Sequence, residues 1–110
     1  MAITYFAGID IEDIAKTLKE FDGVEHRLEF VKEIDGVRFV NDSKGTNTDA
    51  SIKAIEAMSQ PVILIAGGYD KNADFDEFID SFKDKVKYAV LLGKTAGKIK
   101  AAAEKKGFKN

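Results

Sequence analysis

A polar segment at residues 41–47 carries several side chains able to bind a charged ligand. It holds an acid, a base, two hydroxyls, two amides and a glycine, in the order Asn41, Asp42, Ser43, Lys44, Gly45, Thr46 and Asn47. A helix is predicted to follow, and the free N–H groups and dipole at a helix N-terminus favour anions. The sequence leaves two interpretations open: an anion site, or an ordinary loop whose helix is capped by Thr46, Asn47 or Thr48.

A second polar segment, residues 67–72, reads Gly-Gly-Tyr-Asp-Lys-Asn and follows an apolar run. Ligands bind beyond the carboxyl ends of parallel strands, so Lys71 and Lys44 are expected to lie at one edge and hold a carboxylate or phosphate together. Lys71 can equally be a solvated loop lysine, and Gly67 and Gly68 suit either a tight turn or close approach to a ligand. Neither GxGxxG nor GxxxxGKS/T occurs, so no nucleotide phosphate loop is predicted.

Three predicted strands lead into these segments and into a third turn at Gly93. Residues 62–66 and 86–92 are continuous apolar runs, typical of strands buried on both faces of a parallel sheet. Residues 28–34 and 37–40 predict a hairpin around Asp35-Gly36, which sets Glu33 opposite Arg38 and Val31 opposite Val40.

Four helices are predicted between and around the strands. One covers residues 11–21 with Asp10 as its N-cap, and another precedes Pro61. The clearest apolar spacing is that of Phe75, Phe78, Ile79 and Phe82, with Asp74 or Asn72 as the cap. The last helix covers residues 95–106, and Gly107 ends it.

The alternation of strand and helix from Val37 onward predicts a mainly parallel sheet with helices on its faces. We therefore expect an α/β, Rossmann-like three-layer αβα fold with an N-terminal β-hairpin.

Length, charge and residue composition limit the classes of protein to which this chain can belong. The chain has 110 residues, 45% of them hydrophobic, and a formal net charge of −2, which favours one globular domain and argues against nucleic-acid or membrane partners. It contains no cysteine and one histidine, so disulfides are excluded and no zinc or other metal site is expected. The apolar runs are too short to span a bilayer, and a cytoplasmic protein is expected.

His26 and Arg27 stand where the first predicted helix passes into the hairpin. A lone histidine is most often a packing or hydrogen-bonding residue. Arg27 can pair with Asp42 or reach an anionic ligand, and the sequence does not separate these. No arrangement of residues suggests a covalent catalyst.

The segments at residues 23–29, 36–47 and 67–71, with Asp74-Phe75, closely resemble the C-terminal domain of the Mur ligases, in the branch that adds D-glutamate. The Asn-Asp-Ser-Lys-x-Thr-Asn signature is specific to that branch, and Gly45 departs slightly from its usual alanine or serine. The resemblance covers the chain from about Ala7 onward. It implies a ligase of peptidoglycan synthesis that uses ATP and Mg²⁺, both bound mainly by a central domain, and joins D-glutamate to UDP-N-acetylmuramoyl-L-alanine through an acyl phosphate.

Site residues are implied by the same resemblance. Lys71 and Thr46 would hold D-glutamate, with Ser43 and Asn47 also on the substrate side. Lys44 would touch the phosphorylated substrate or released phosphate and is the expected catalytic residue. Asp42 and Arg27 would reach ATP across the domain cleft.

The resemblance also predicts how the chain is divided. Residues 1–22 would be a helix left over from the preceding ATP-binding domain, and residues 23–110 an incomplete C-terminal domain, truncated before its last strands. We therefore expect an inactive fragment whose unpaired sheet edge favours dimerisation. The alternative is a stand-alone module that binds small anions or phosphate without ligase activity.

Overall fold

The computed structural model describes residues 2–110. The elements, in chain order, are α1 Ala2–Phe6, α2 Ile11–Glu20, β1 Glu29–Ile34, β2 Val37–Asn41, α3 Thr48–Ala57, β3 Val62–Gly68, α4 Asp76–Asp80, β4 Val86–Gly93 and α5 Ala96–Lys105. The architecture is mixed α/β, with one antiparallel hairpin and one parallel strand pair.

Helix α2 begins where the sequence predicts. Asp10 has extended backbone and its carboxylate accepts a hydrogen bond from the Glu12 N–H at 2.9 Å, which confirms it as the N-cap. Within residues 2–41, Ile14 is the only residue that is buried. The N-terminal helices therefore pack against little of the rest of the molecule.

The hairpin formed by β1 and β2 turns at Asp35 and Gly36, which both have positive φ as two-residue hairpin turns require. The pairing of Glu33 with Arg38 is confirmed. The predicted pairing of Val31 with Val40 is wrong: Phe30 faces Val40 instead. An extra residue in β1 forms a β-bulge between Phe30 and Lys32, and such bulges are not visible in alternating sequence patterns.

The parallel pair β3–β4 carries the hydrophobic core on one face. The cluster draws on α3, α4, the turn after α4, β4 and α5, and consists of Ile55, Phe78, Ile79, Phe82, Val86, Ile99 and Ala103. Phe82 lies at its centre, with edge-to-face contacts to Phe78 at 5.0 Å and Phe108 at 5.1 Å between ring centroids. The expectation that β3 and β4 are buried on both faces is wrong for the described residues. Ile63 and Ile65 of β3 are 66% and 69% exposed, and Tyr88 and Val90 of β4 are 57% and 52% exposed. Helices cover only the opposite face.

The helix predicted from the phenylalanine spacing is much shorter than expected. Helix α4 spans Asp76–Asp80, Phe75 occupies the cap position, and Phe82 lies beyond the end. The Asp74 carboxylate accepts the Asp76 N–H at 2.9 Å. After α4, the chain turns through Lys83, whose φ is +38°. The apolar spacing thus predicted the buried face correctly but not the helix length.

Helix α5 ends as predicted. Gly107 has a φ of +80°, and the N–H groups of Gly107 and Phe108 bond to the carbonyls of Glu104 and Ala103. This left-handed stop directs Phe108 back onto the core.

The single mainly parallel sheet is not formed among residues 2–110. Strand β2 pairs with β1 and strand β3 with β4, in two separate sheets. The radius of gyration is 17.2 Å, whereas a compact chain of this length has about 13 Å. The three-layer arrangement and the assignment of residues 1–22 to a preceding domain remain predictions; Met1 lies outside the described residues.

Candidate functional site

The two polar segments meet in the structure. The ammonium nitrogen of Lys71 lies 3.4 Å from the carbonyl oxygen of Thr46, at the outer limit of a hydrogen bond. Residues 41–47 leave the end of β2, and residues 67–72 leave the end of β3. The segments therefore face a common region although their strands belong to different sheets.

The 41–47 segment is folded by its own polar groups. Asp42 accepts the Leu28 N–H through Oδ1 at 3.0 Å, and its carbonyl accepts the Gly45 N–H at 2.8 Å. The Lys44 N–H donates to the carbonyl of His26 at 2.9 Å. A Cβ at Gly45 would lie 2.6 Å from Oδ2 of Asp42, so the glycine leaves room for this carboxylate. The backbone N–H of Lys44 is thus held by His26, while Lys44 itself is exposed.

His26 belongs to the structure that supports this segment. Its Nδ1 lies 2.9 Å from Nδ2 of Asn41, and its backbone N–H donates to the Glu29 carboxylate at 2.9 Å. His26 and Leu28 have φ values of +64° and +47°, a conformation that non-glycine residues rarely adopt. These contacts indicate a structural role for His26, and they bring in Glu29, which we did not predict. The sequence signal that could have predicted this role of Glu29 was the presence of Glu29 and Asn41 at paired strand ends close to His26.

Helix α3 begins directly after the segment. Asn47 is the N-cap, since its Oδ1 accepts the Ala50 N–H at 2.8 Å. Among the three predicted candidates the structure selects Asn47, and its amide oxygen is thereby engaged. The side chain of Thr46 is exposed beside it.

The two glycines of the 67–72 segment have different environments. A Cβ at Gly67 would lie 1.8 Å from the carbonyl oxygen of Leu92, so close strand packing explains this glycine. Gly68 has a φ of +140°, a Cβ added there would meet no atom within 4 Å, and its carbonyl accepts the Thr95 N–H at 3.2 Å. Neither glycine requires a ligand to account for it.

Asp70 is held by two donors. The ammonium of Lys98 on α5 lies 2.5 Å from Oδ2, and the Asn72 N–H donates to Oδ1 at 2.8 Å. The hydrogen bond from Lys98, followed by that from Asn72, lowers the pKa of Asp70 below its ordinary value. Asp70 is therefore engaged in the fold, and Lys71 is the charged side chain that the segment presents.

The cationic groups of the site are largely unneutralised. Within residues 2–110, neither Lys44 nor Lys71 forms a salt bridge, and the alternative pairing of Arg27 with Asp42 does not form. Exposed positive charges without internal partners favour an anionic ligand. The arrangement can position and neutralise carboxylates or phosphates, but it presents no covalent nucleophile with an adjacent base.

Residues 2–110 contain neither a cluster of three metal-ligating side chains nor a helix able to span a membrane. No three His, Cys, Asp or Glu side chains in this range come together in a way that would hold a metal ion. None of the helices described has both the length and the hydropathy to cross a bilayer.

Comparisons with known proteins identify similar sequences. The family model described as "Mur ligase, glutamate ligase domain" matches residues 26–110. A protein of Thermoanaerobacter sp. (strain X514), named UDP-N-acetylmuramoylalanine--D-glutamate ligase, is 58% identical over 97% of this chain and 24% of its own length. Proteins of the same name from Caldanaerobacter subterraneus subsp. tengcongensis and Clostridioides difficile are 55% and 54% identical over 97% and 98% of this chain, and over 24% of their own lengths. The chain spans about a quarter of the length of these curated relatives.

Proposed function

The chain belongs to the Mur ligase family, in its glutamate ligase domain, and on that premise we propose that it binds the incoming D-glutamate within a larger ATP-dependent ligase. The observation that carries this proposal is the contact between Lys71 and Thr46, which joins two cation-bearing segments at one place. A dicarboxylate amino acid matches such a site in charge and in its need for several donors.

The proposed reaction of the full-length enzyme makes an amide bond during peptidoglycan synthesis. ATP, with Mg²⁺, supplies a phosphoryl group to the terminal carboxylate of UDP-N-acetylmuramoyl-L-alanine. The D-glutamate amine then displaces phosphate from the acyl carbon and loses a proton. The role of this chain is to position and neutralise charge, which lowers the barrier without proton transfer by its own side chains.

Lys71 and Thr46 are assigned to D-glutamate, with Ser43 and Asn47 beside them. The exposure of the Thr46 side chain and the unneutralised ammonium of Lys71 support this assignment. For Asn47 only the amide nitrogen is available, because its oxygen caps α3.

Lys44 is assigned to the phosphorylated substrate or the released phosphate. Its backbone is fixed by the carbonyl of His26, so the ammonium extends from a defined point on the segment. A lysine so held acts as a point charge toward phosphate oxygens.

Arg27 and Asp42 are assigned to ATP, and their surroundings fit that role to different extents. Arg27 forms no salt bridge within residues 2–110, so its guanidinium is available for an anionic nucleotide. Asp42 has one oxygen engaged by Leu28 and only its second oxygen available. The Mg²⁺ site is assigned to the central domain.

We further propose the arrangement of the larger protein. Residues 1–22 would close the central ATP-binding domain, the strand pairs would join into one sheet of a three-layer domain, and the enzyme would be cytoplasmic. The 110-residue chain would have no ligase activity, and its open sheet edge would favour dimers at high concentration.

Substitution of the two lysines in the full-length ligase tests the assignment. K71A is expected to raise the KM for D-glutamate about 10- to 100-fold, because a hydrogen bond to a charged group is lost. K44A is expected to lower kcat about 100-fold. K53A is the matched control, since Lys53 pairs with Glu56 on the surface of α3 and is expected to leave both constants unchanged.

Unchanged constants in K44A and K71A would remove the site assignment. Titration of the 110-residue chain with D-glutamate, ADP and phosphate is expected to give millimolar or weaker dissociation constants. Micromolar binding by the chain alone would favour a stand-alone anion-binding module.

A further inference from the structure

The first turns of α5 contact the 67–72 segment at two places. At its start, the N–H of Thr95 donates to the Gly68 carbonyl at 3.2 Å. Thr95 is 5% exposed, the most buried polar residue in the described part of the chain. Lys98, in the first turn of α5, reaches Asp70, which in turn accepts the Asn72 N–H.

The residues on either side of Lys71 are thereby fixed. Asp70 precedes it and is bound to α5, and Asn72 follows it with a φ of +59° that the hydrogen bond to Asp70 supports. A residue between two such anchors has little backbone freedom. The direction in which the Lys71 side chain leaves the segment, toward Thr46, depends on these anchors.

We propose that Lys98 and Asp70 are positioning residues for D-glutamate binding, acting on Lys71 through the conformation and charge of the 67–72 segment. This inference rests on the function proposed above. It concerns side chains that do not themselves touch the substrate.

Charge gives a second reason for this role. A carboxylate adjacent to Lys71 would repel a dicarboxylate ligand and compete with it for the lysine ammonium. Lys98 neutralises Asp70 and holds it on the α5 side. Loss of Lys98 should therefore harm binding more than loss of both partners, because Asp70 would then be left with its charge uncompensated.

Kinetics of the full-length ligase test this proposal against a matched ion pair. The control is Lys105, also on α5, whose ammonium lies 2.5 Å from the carboxylate of Asp76. Within residues 2–110, the ion pair and hydrogen bond of Lys105 are with Asp76 and not with the 67–72 segment. K98M is expected to raise the KM for D-glutamate about three- to fivefold with kcat changed less than twofold. K98R should restore the KM, D70N/K98M should have a lower KM than K98M, and K105M should leave it unchanged.

A structural readout in the 110-residue chain accompanies the kinetics. The amide ¹H and ¹⁵N shifts of Lys71 and Asn72 are expected to move in K98M and not in K105M. Equal KM values for K98M and K105M, in an enzyme where K71A raises the KM, would overturn this inference alone. An unchanged KM in K71A would overturn the proposed function and this inference with it.

Discussion

The two regions of the molecule differ in how many of their residues are buried. The N-terminal region is residues 2–41 and the C-terminal region is residues 48–110. The first buries Ile14 alone among its residues, whereas the second contains the whole cluster around Phe82. Three ion pairs further stabilise the second region. They join Lys98 to Asp70, Lys105 to Asp76 and Lys106 to Asp80. The candidate site lies between the two, so one of its segments is anchored to a packed core and the other to an exposed hairpin.

The two lysines are consequently held by different means. Lys71 depends on a strand end and a helix that belong to the core. Lys44 depends on hydrogen bonds with the His26 segment, which the hairpin supports. Matched substitutions in the two regions should therefore lower the free energy of unfolding by different amounts.

The greatest loss of stability is expected at the centre of the core. F82A should lower the free energy of unfolding by about 3–5 kcal/mol, because it leaves a cavity where a 1%-exposed ring was packed. F39A on β2, where the ring is 46% exposed, should cost about 0.5 kcal/mol or less. Chemical denaturation measures both, and equal losses would contradict the division into two regions.

A glycine pair gives the next largest difference. G67A should destabilise by about 3 kcal/mol, since its Cβ would overlap the Leu92 carbonyl and the φ of +142° is unfavourable for alanine. G36A, with a φ of +79° but open space around it, should cost about 1 kcal/mol from backbone strain alone. Thermal and denaturant unfolding of the two variants would test this, and a larger loss for G36A would refute it.

Removing the N-caps of α2 and α3 should show the same difference between the regions, with smaller losses of stability. N47A should cost about 1 kcal/mol, because α3 contributes Ile55 to the core and its start is coupled to cooperative unfolding. D10A removes the same kind of cap from α2, yet should change cooperative unfolding less, since α2 is mostly exposed. Circular dichroism and denaturation together measure helix content and unfolding energy; a greater loss of unfolding energy in D10A would be inconsistent with this view.

The weakest effect is a pH dependence in the C-terminal region. The hydrogen bond from Lys105 lowers the pKa of Asp76 in the folded state, so this group stabilises the fold above its ordinary pKa near 4. That contribution is lost as the pH falls through the lowered pKa. D76N should be less stable than the native chain at pH 7, and the two should converge below about pH 4. A difference that stays constant from pH 7 to pH 3 would show that the ion pair contributes nothing.

The sequence predicted the elements well where short-range chemistry determines them. Asp10, Asn47 and Gly107 mark helix ends through local hydrogen bonds, and Asp35-Gly36 marks the hairpin turn. It failed where the outcome depends on distant parts of the chain. The bulge at Val31, the early end of α4 and the exposed face of β3 follow from tertiary context that periodicity does not encode.

The candidate site shows the same limit. Residue types placed Lys44 and Lys71 in two segments at strand ends, and the contact between Lys71 and Thr46 brings those segments together. The support from Lys98 was not predicted, because Asp70 and Lys98 are 28 positions apart and no local pattern links them. The roles of the site residues toward particular substrates remain predictions.

The close approach of Gly67 to Leu92 has a consequence for engineering. Because the two strand ends are in steric contact, the turns that leave them have a fixed common base. Within residues 69–72, substitutions are therefore best confined to the exposed Tyr69, because Asp70, Lys71 and Asn72 make the contacts described above and Gly67 must stay unaltered.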